Sequence, residues 1–410
     1  MSNNNATNKI KINENFFLSK IIEKIDFKNK RVLLRADLNA PVDKENKKIL
    51  NDYKLKAVLP TINLLLKHGA KIVLATHIGE PEHKQAISSQ ILVDFFQKHN
   101  IKTIFEKNIK TAIEKSTSDK NYQILLLENL RLFSGEKSKI LEEKIELAKS
   151  LQNLGDYYVN DAFGVMHRHD TSITILPTLF DKNKIFLGLL AEKELIMLQK
   201  LASKPKAGFT VIIGGGKLET KIPLIENILD KIDNLILCPA INFPFMKYFD
   251  DNIGKSLFYE NMLPFVPKII EKAREKHVKI SYPIDFIVAK DTFDGPIYDV
   301  DKPEIPDNFV GLAIGPKSAK LFAEIVKHSK TIFFNGVSGN INKEESLDGV
   351  KTIFYAMSHK GAFSVIGGGD SVAVANMLHA TKDIDYLSTA GGASLAFLGC
   401  QKLPGLFVFE

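Results

Sequence analysis

Three glycine-rich turns and a few arginines are the residues in this chain whose type and spacing could do chemistry. Gly214-Gly215-Gly216-Lys217 is followed one helical turn later by Lys221. Gly367-Gly368-Gly369-Asp370-Ser371 opens a helical pattern, and Ser388-Thr389-Ala390-Gly391-Gly392-Ala393-Ser394 does so again. Glycines let backbone N–H groups approach phosphate oxygens closely, and a helix N-terminus adds about half a positive charge. Asp370 is placed to hold Mg²⁺ beside a nucleotide. Lys217 is followed by Leu218 rather than Ser or Thr, so the first turn is no Walker A loop. No G-x-G-x-x-G is present either, which disfavours a dinucleotide. Glycine also serves tight strand–helix packing, so one such turn says little. Three in one half of the chain, with an arginine cluster in the other, point to phosphoryl transfer.

The arginines are informative because they are scarce: five stand against fifty lysines. Arg35, Arg131 and Arg168 each follow an apolar run. Arginine grips phosphate or carboxylate with a planar fork that lysine lacks. Arg35-Ala36-Asp37-Leu38-Asn39 puts three polar groups on one face if the strand runs on at period 2. That pattern is either a solvated strand end or a platform for a small polar ligand. Thr76-His77-Ile78-Gly79 ends another run, and a lone histidine there is more often structural than catalytic.

The elements that must position these residues alternate along the chain. Strands are expected over 31–38, 71–76, 123–127, 157–160, 210–213, 234–237, 286–289, 331–335 and 363–366. Helical patterns fall between them, as over 55–68, 142–154, 222–232, 265–276 and 318–328. Apolar strands with helical crossovers predict an α/β fold of two doubly wound parallel-sheet lobes. Ligands then bind beyond the carboxyl ends of the strands. A helical pattern over 189–202, followed by the break Lys204-Pro205-Lys206-Ala207-Gly208, marks the join. The expected organisation is an N-terminal extension over 1–17, a first lobe over 18–190, a bridging helix over 191–204, a second lobe over 205–395, and a segment over 396–410 returning toward the first lobe.

Composition narrows the partners. The 410 residues carry a net charge of +7, two cysteines and no tryptophan. Residues 1–200 hold 32 Lys and Arg against 24 Asp and Glu, so the basic excess lies in the half with the arginine cluster. An anionic partner follows: nucleic acid, a membrane or a phosphorylated metabolite. The lysines alternate with glutamate on solvated helix faces, and no nucleic-acid-binding motif appears. No run of 18 apolar residues is present to span a membrane. The Asn- and Lys-rich start has no apolar signal region, so a cytoplasmic protein is expected. Isolated Cys238 and Cys400 offer neither a disulfide framework nor a cysteine-rich metal site.

Taken in order, RVLLRADLNAPV from Arg31, AVLPTI from Ala57, THIGEP from Thr76, LLENLRLF from Leu126, VNDAFGVMHR from Val159, GGGKLETKI from Gly214, IGPKSAKLF from Ile314, FFNG from Phe333, VIGGGDS from Val365 and STAGGASLAFL from Ser388 resemble the phosphoglycerate kinase family. The resemblance implies a monomer with a hinge between two lobes, acting on small-molecule substrates and on neither nucleic acid nor membrane. It would transfer a phosphoryl group between 1,3-bisphosphoglycerate and ADP, giving 3-phosphoglycerate and ATP, with Mg²⁺. It implies triose binding by Asp37, Asn39, Lys54, His77, Gly79, Arg131 and Arg168. Nucleotide binding would fall to Gly215, Lys217, Lys221, Gly311, Asn335, Asn342, Gly368, Gly369, Asp370 and Ser371, with Asp370 on the metal. Lys54, Lys217, Gly369 and Gly392 would serve catalysis.

The chain departs from the family pattern at several points. Lys54 stands where the family has its catalytic arginine, and Glu80 replaces the arginine of SHLGRP. Cys238-Pro239-Ala240-Ile241-Asn242 replaces GGGMA, and Asn342 replaces the ribose-binding glutamate. Thr220 and Ala313 each replace an aspartate. These changes leave open a different acyl phosphate or nucleotide, or a binding or regulatory role on the same fold.

Overall fold

The computed structural model describes residues 13–43, 46, 48–80, 86–119, 121–359 and 361–410. Most of the N-terminal extension expected over 1–17 lies outside them. The contacts divide the chain into two compact units. One holds residues up to Ile196 with Lys402–Glu410, and the other holds Met197–Gln401. The division falls inside the helix Leu189–Ala202. None of the described helices is long and apolar enough to cross a membrane.

In the first unit, β1 (Arg31–Ala36), β4 (Lys71–Ala75), β5 (Thr103–Glu106), β6 (Ile124–Leu127), β7 (Tyr157–Asp161) and β8 (Ile185–Leu187) form a parallel sheet in the order β5-β6-β4-β1-β7-β8. The short strands β2 (Val42–Asp43) and β3 (Lys48–Ile49) pair with each other beside it. Val32, Leu33 and Leu34 are buried in succession, as a strand covered on both faces requires. The helix Tyr53–Lys67 buries Leu55, Val58, Ile62 and Leu65 at helical spacing, and this packing fixes Lys54 in its first turn. The C-terminal residues belong to this unit: Phe409 packs edge-on against Phe16, and Gly405 N donates to Met166 O.

In the second unit, β9 (Phe209–Ile213), β10 (Asn234–Leu237), β11 (Lys279–Ser281), β15 (Thr331–Asn335), β16 (Phe363–Gly367) and β17 (Tyr386–Ser388) form a parallel sheet in the order β11-β10-β9-β15-β16-β17. The run at 286 departs from the parallel expectation. β12 (Phe286–Lys290) pairs antiparallel with β13 (Ile297–Val300) and β14 (Phe309–Ile314) in a separate sheet. The linkers from β12 to β13 and from β13 to β14 are too short for the helical crossover that a parallel connection needs. β2, β3, β5, β8, β11, β13, β14 and β17 fall outside the expected runs; all but β14 are four residues long or shorter.

Candidate active site

Both parallel sheets change winding direction at one place. In the first unit the order diverges between β1 and β7, and in the second between β9 and β15. Loops leaving neighbouring carboxyl ends separate there and open a crevice. Most of the residues singled out from the sequence gather at these two places.

In the first unit, Lys54 Nζ donates to Asp37 Oδ2 at 2.7 Å. Asp37 Oδ1 accepts from Asn39 N at 3.2 Å and lies 3.8 Å from His77 Nε2. Asn39 Oδ1 accepts from Gly79 N at 2.9 Å, and Arg131 Nη1 donates to Gly79 O at 2.8 Å. Arg168 joins through Glu80, as described below. All seven triose-side candidates therefore form one connected cluster. Burial alone would raise Asp37, but the charge and hydrogen bond of Lys54, with the N–H of Asn39, hold its carboxyl well below the usual carboxylate range. Burial keeps His77 largely uncharged; Arg35, Arg131 and Lys54 reinforce this against the pull of Asp37.

Arg35 corrects one expectation. The strand ends at Ala36, so the alternation does not carry through to Asp37 and Asn39. Arg35 is fully buried and turned into the protein. Its Nε donates to Ser172 Oγ at 2.8 Å and Nη1 to Ala36 O at 2.7 Å. Nη2 lies 3.2 Å from His77 Nδ1 and 3.9 Å from Glu136 Oε1. A guanidinium can only donate, so this contact makes Nδ1 the acceptor and leaves the proton on Nε2, toward Asp37. Arg35 thus orients His77 and offers no free fork to a ligand. Burial pushes Glu136 up to about 7, with Arg35 opposing.

In the second unit the three glycine turns interlock. Gly214 N donates to Asn335 O at 2.9 Å, and Gly368 N donates to Ser388 O at 3.1 Å. Gly336 N donates to Ser371 Oγ at 2.8 Å, and Asn335 Nδ2 donates to Gly391 O at 3.2 Å. Lys217 precedes the helix Leu218–Ile228 with its side chain exposed, and Gly215 beside it takes a φ of +78°. Lys221, one turn on, is buried, and its Nζ donates to Gly214 O at 2.6 Å. Burial and the charge of Lys217 push Lys221 down to about 8, with Asp370 opposing. Gly368 adopts a φ of +97° and starts the helix Gly369–Met377, whose first turn carries Asp370, exposed, and Ser371. Gly392 opens the helix Gly392–Leu398. Gly215, Lys217, Lys221, Asn335, Gly368, Gly369, Asp370, Ser371 and Gly392 therefore belong to one set of turns.

Two further nucleotide-side candidates stand on other elements. Gly311 is buried in β14, where a side chain would run into Ile305 and Phe243. Asn342 is exposed and lines a groove of about 870 Å³ with Tyr298, Lys320 and Asp348. Cys238-Pro239-Ala240-Ile241-Asn242 begins the buried helix Pro239–Tyr248, and burial pushes the Cys238 thiol up to about 12. Sequence reasoning missed Lys137, which joins the triose-side cluster of the first unit through Glu80 and has no spacing signal. Gly336 enters it only as the end of FFNG, with no role of its own, although it stands directly after β15.

Known proteins resemble this chain across nearly its whole length. The family model described as "Phosphoglycerate kinase" matches residues 22–401. A phosphoglycerate kinase of Clostridium kluyveri is 37% identical over 403 residues, covering 95% of this chain and 98% of its own. The crystal structure of phosphoglycerate kinase from Pyrococcus horikoshii OT3 superposes with a TM-score of 0.81 at 31% identity, covering 95% of this chain and 98% of its own. The structure of phosphoglycerate kinase from Coxiella burnetii gives 0.71 at 30%, with the same coverage. With a family model and full-length relatives matching across nearly the whole chain, this chain belongs to the phosphoglycerate kinase family.

Proposed function

We propose that this chain is a working phosphotransferase that exchanges a phosphoryl group between 1,3-bisphosphoglycerate and ADP, giving 3-phosphoglycerate and ATP. The observation that carries the reading is the interlocked set of glycine turns with Lys217 and Lys221 at the switch point of the second sheet. Glycine turns at helix N-termini and two lysines are what a polyphosphate needs. The first unit supplies the complementary chemistry. His77 and Asn39 offer hydrogen bonds, and Arg131 and Arg168 offer charge, to a small molecule with a carboxylate at one end and a phosphate at the other.

In the direction of ATP use, a carboxylate oxygen of 3-phosphoglycerate attacks the γ-phosphorus, and the bond to the ADP oxygen breaks. The nucleophile is already anionic, so no general base is required. Lys217 and the N–H groups of Gly369 and Gly392 would neutralise charge on the moving phosphoryl group. Among the described residues no group of three or more acidic, histidine or cysteine side chains could hold a metal. Mg²⁺ therefore fits as an ion carried by the nucleotide and met by the single carboxylate of Asp370; when bound it offsets phosphate charge. Lys54 is spent on Asp37, so its part is to orient that carboxylate as well as to add charge. The reading also takes the protein to be a cytoplasmic monomer with a hinge between its units.

A second reading changes only the donor. Gly311 packed against Phe243 and Ile305, and the helix in place of a glycine turn at Cys238–Asn242, favour a nucleotide whose base and ribose are held differently from ATP.

Separate binding of the two substrates tests the assignment. Asp370→Asn should weaken Mg-ATP binding by calorimetry about 10-fold or more, as expected for loss of a charged ligand to the ion, and leave the affinity for 3-phosphoglycerate unchanged. Loss of both would overturn the division of labour.

A further inference from the structure

Glu80 lies among the cations assigned to the substrate. It follows the turn after β4. Its Oε1 stands 3.0 Å from Arg131 Nη1 and 3.0 Å from Arg168 Nη2, and its Oε2 stands 3.1 Å from Lys137 Nζ. Burial would raise its pKa, but Arg131, Arg168 and Lys137 outweigh this and keep it ionised below the usual carboxylate range. The arginines are not exhausted by the contact. Arg131 is 5% exposed, and its Nε and Nη2 are buried without a hydrogen-bond partner, as is Arg168 Nε. A buried guanidinium with unused donors is costly unless something else accepts from them. The cluster therefore holds one carboxylate and has donors for a second anion.

We propose that Glu80 is an internal counter-anion that competes with the substrate for Arg131 and Arg168 and sets the charge a ligand must carry to bind there. A phosphate, with up to two negative charges and three acceptor oxygens, displaces the carboxylate or binds beside it on the unused donors. A lone carboxylate or a neutral end has no such advantage over a tethered one. Glu80 is then an affinity-setting residue: it lowers affinity for every anion that must take the arginines from it, so only a strongly charged one competes. The inference rests on the reading above that Arg131 and Arg168 receive the anionic end of the substrate.

Calorimetry on the full chain tests it with three probes: inorganic phosphate, 3-phosphoglycerate, and glycerate, which lacks the phosphate. Only the portion of phosphate binding abolished by Arg131→Met is counted as this site. Glu80→Gln, which keeps the shape and removes the charge, should tighten that phosphate binding and 3-phosphoglycerate binding about 10-fold, the scale of one charge-assisted contact. Glycerate, which brings no phosphate to these arginines, should gain little, so that the gain tracks the charge delivered to Arg131 and Arg168. Glu80→Ala should do the same, with both variants melting within a few degrees of the parent. Unchanged or weaker binding in both variants would mean that Glu80 scaffolds the arginines, and would overturn the proposal. Tighter phosphate binding without any phosphoryl transfer would leave Glu80 in its role and refute the kinase reading. Full turnover with no gain in affinity would do the reverse.

Discussion

Lys217→Ala should lower kcat by about 10²- to 10³-fold, the scale set by loss of one preorganised donor to transition-state charge. The same change should alter stability by less than about 0.5 kcal/mol, as for an exposed side chain away from packing. Both halves follow from its position. The side chain is exposed, and its backbone carbonyl accepts from Thr220 N at 3.3 Å and from Lys221 N at 3.2 Å. Alanine keeps those bonds, so the helix Leu218–Ile228 still begins where it does. What disappears is one positive charge beside the glycine turns, which matters most when charge spreads over the transferred phosphoryl group. Steady-state kinetics should therefore show the loss mainly in kcat. A kcat within a few-fold of the parent would remove Lys217 from the reaction.

Gly336→Ala should cost the second unit about 3 kcal/mol or more, from an L-residue at a left-handed φ and a clash with the backbone. Gly336 has a φ of +97°, and a Cβ there would sit 2.0 Å from Gly214 O and 2.3 Å from Lys221 Nζ. Neither neighbour can yield cheaply. Gly214 O already accepts from Lys221 Nζ, and Gly336 N donates to Ser371 Oγ. One methyl group would thus push apart the turns that follow β9, β15 and β16, and nucleotide affinity should fall with stability. Gly361 provides the control. Its φ is +95°, but nothing lies within 4 Å of the added carbon. Gly361→Ala should cost about 1 kcal/mol, from backbone strain alone. Equal costs for the two substitutions, measured by denaturant unfolding, would mean that the turns do not interlock.

The parts of the molecule that were legible in the sequence are those fixed by local chemistry. Continuous apolar runs such as Phe209–Ile213 must be buried on both faces, and glycines that follow them mark tight turns at carboxyl ends. Hence the α/β class and the residues of the three turns could be read directly. What depends on partners distant in the chain could not be read. Arg35 looks the same in sequence whether it faces a ligand or a buried Glu136 about a hundred residues on. Lys137 and Glu80 meet only because the sheet brings their loops together. β12 reads as a parallel strand because β-branched runs suit either sheet type, although its short linkers carried the contrary signal. Glu80 was visible as a charge reversal; that it engages three cations is a property of the fold.

The most direct test of the central claim is a coupled assay in which purified full-length protein receives 3-phosphoglycerate, Mg²⁺ and ATP, with the acyl phosphate removed as it forms. Steady turnover that needs all three components is the predicted result, with GTP and pyrophosphate run in parallel to identify the donor. Absence of transfer from every donor, in protein that is folded and binds 3-phosphoglycerate, would contradict the account.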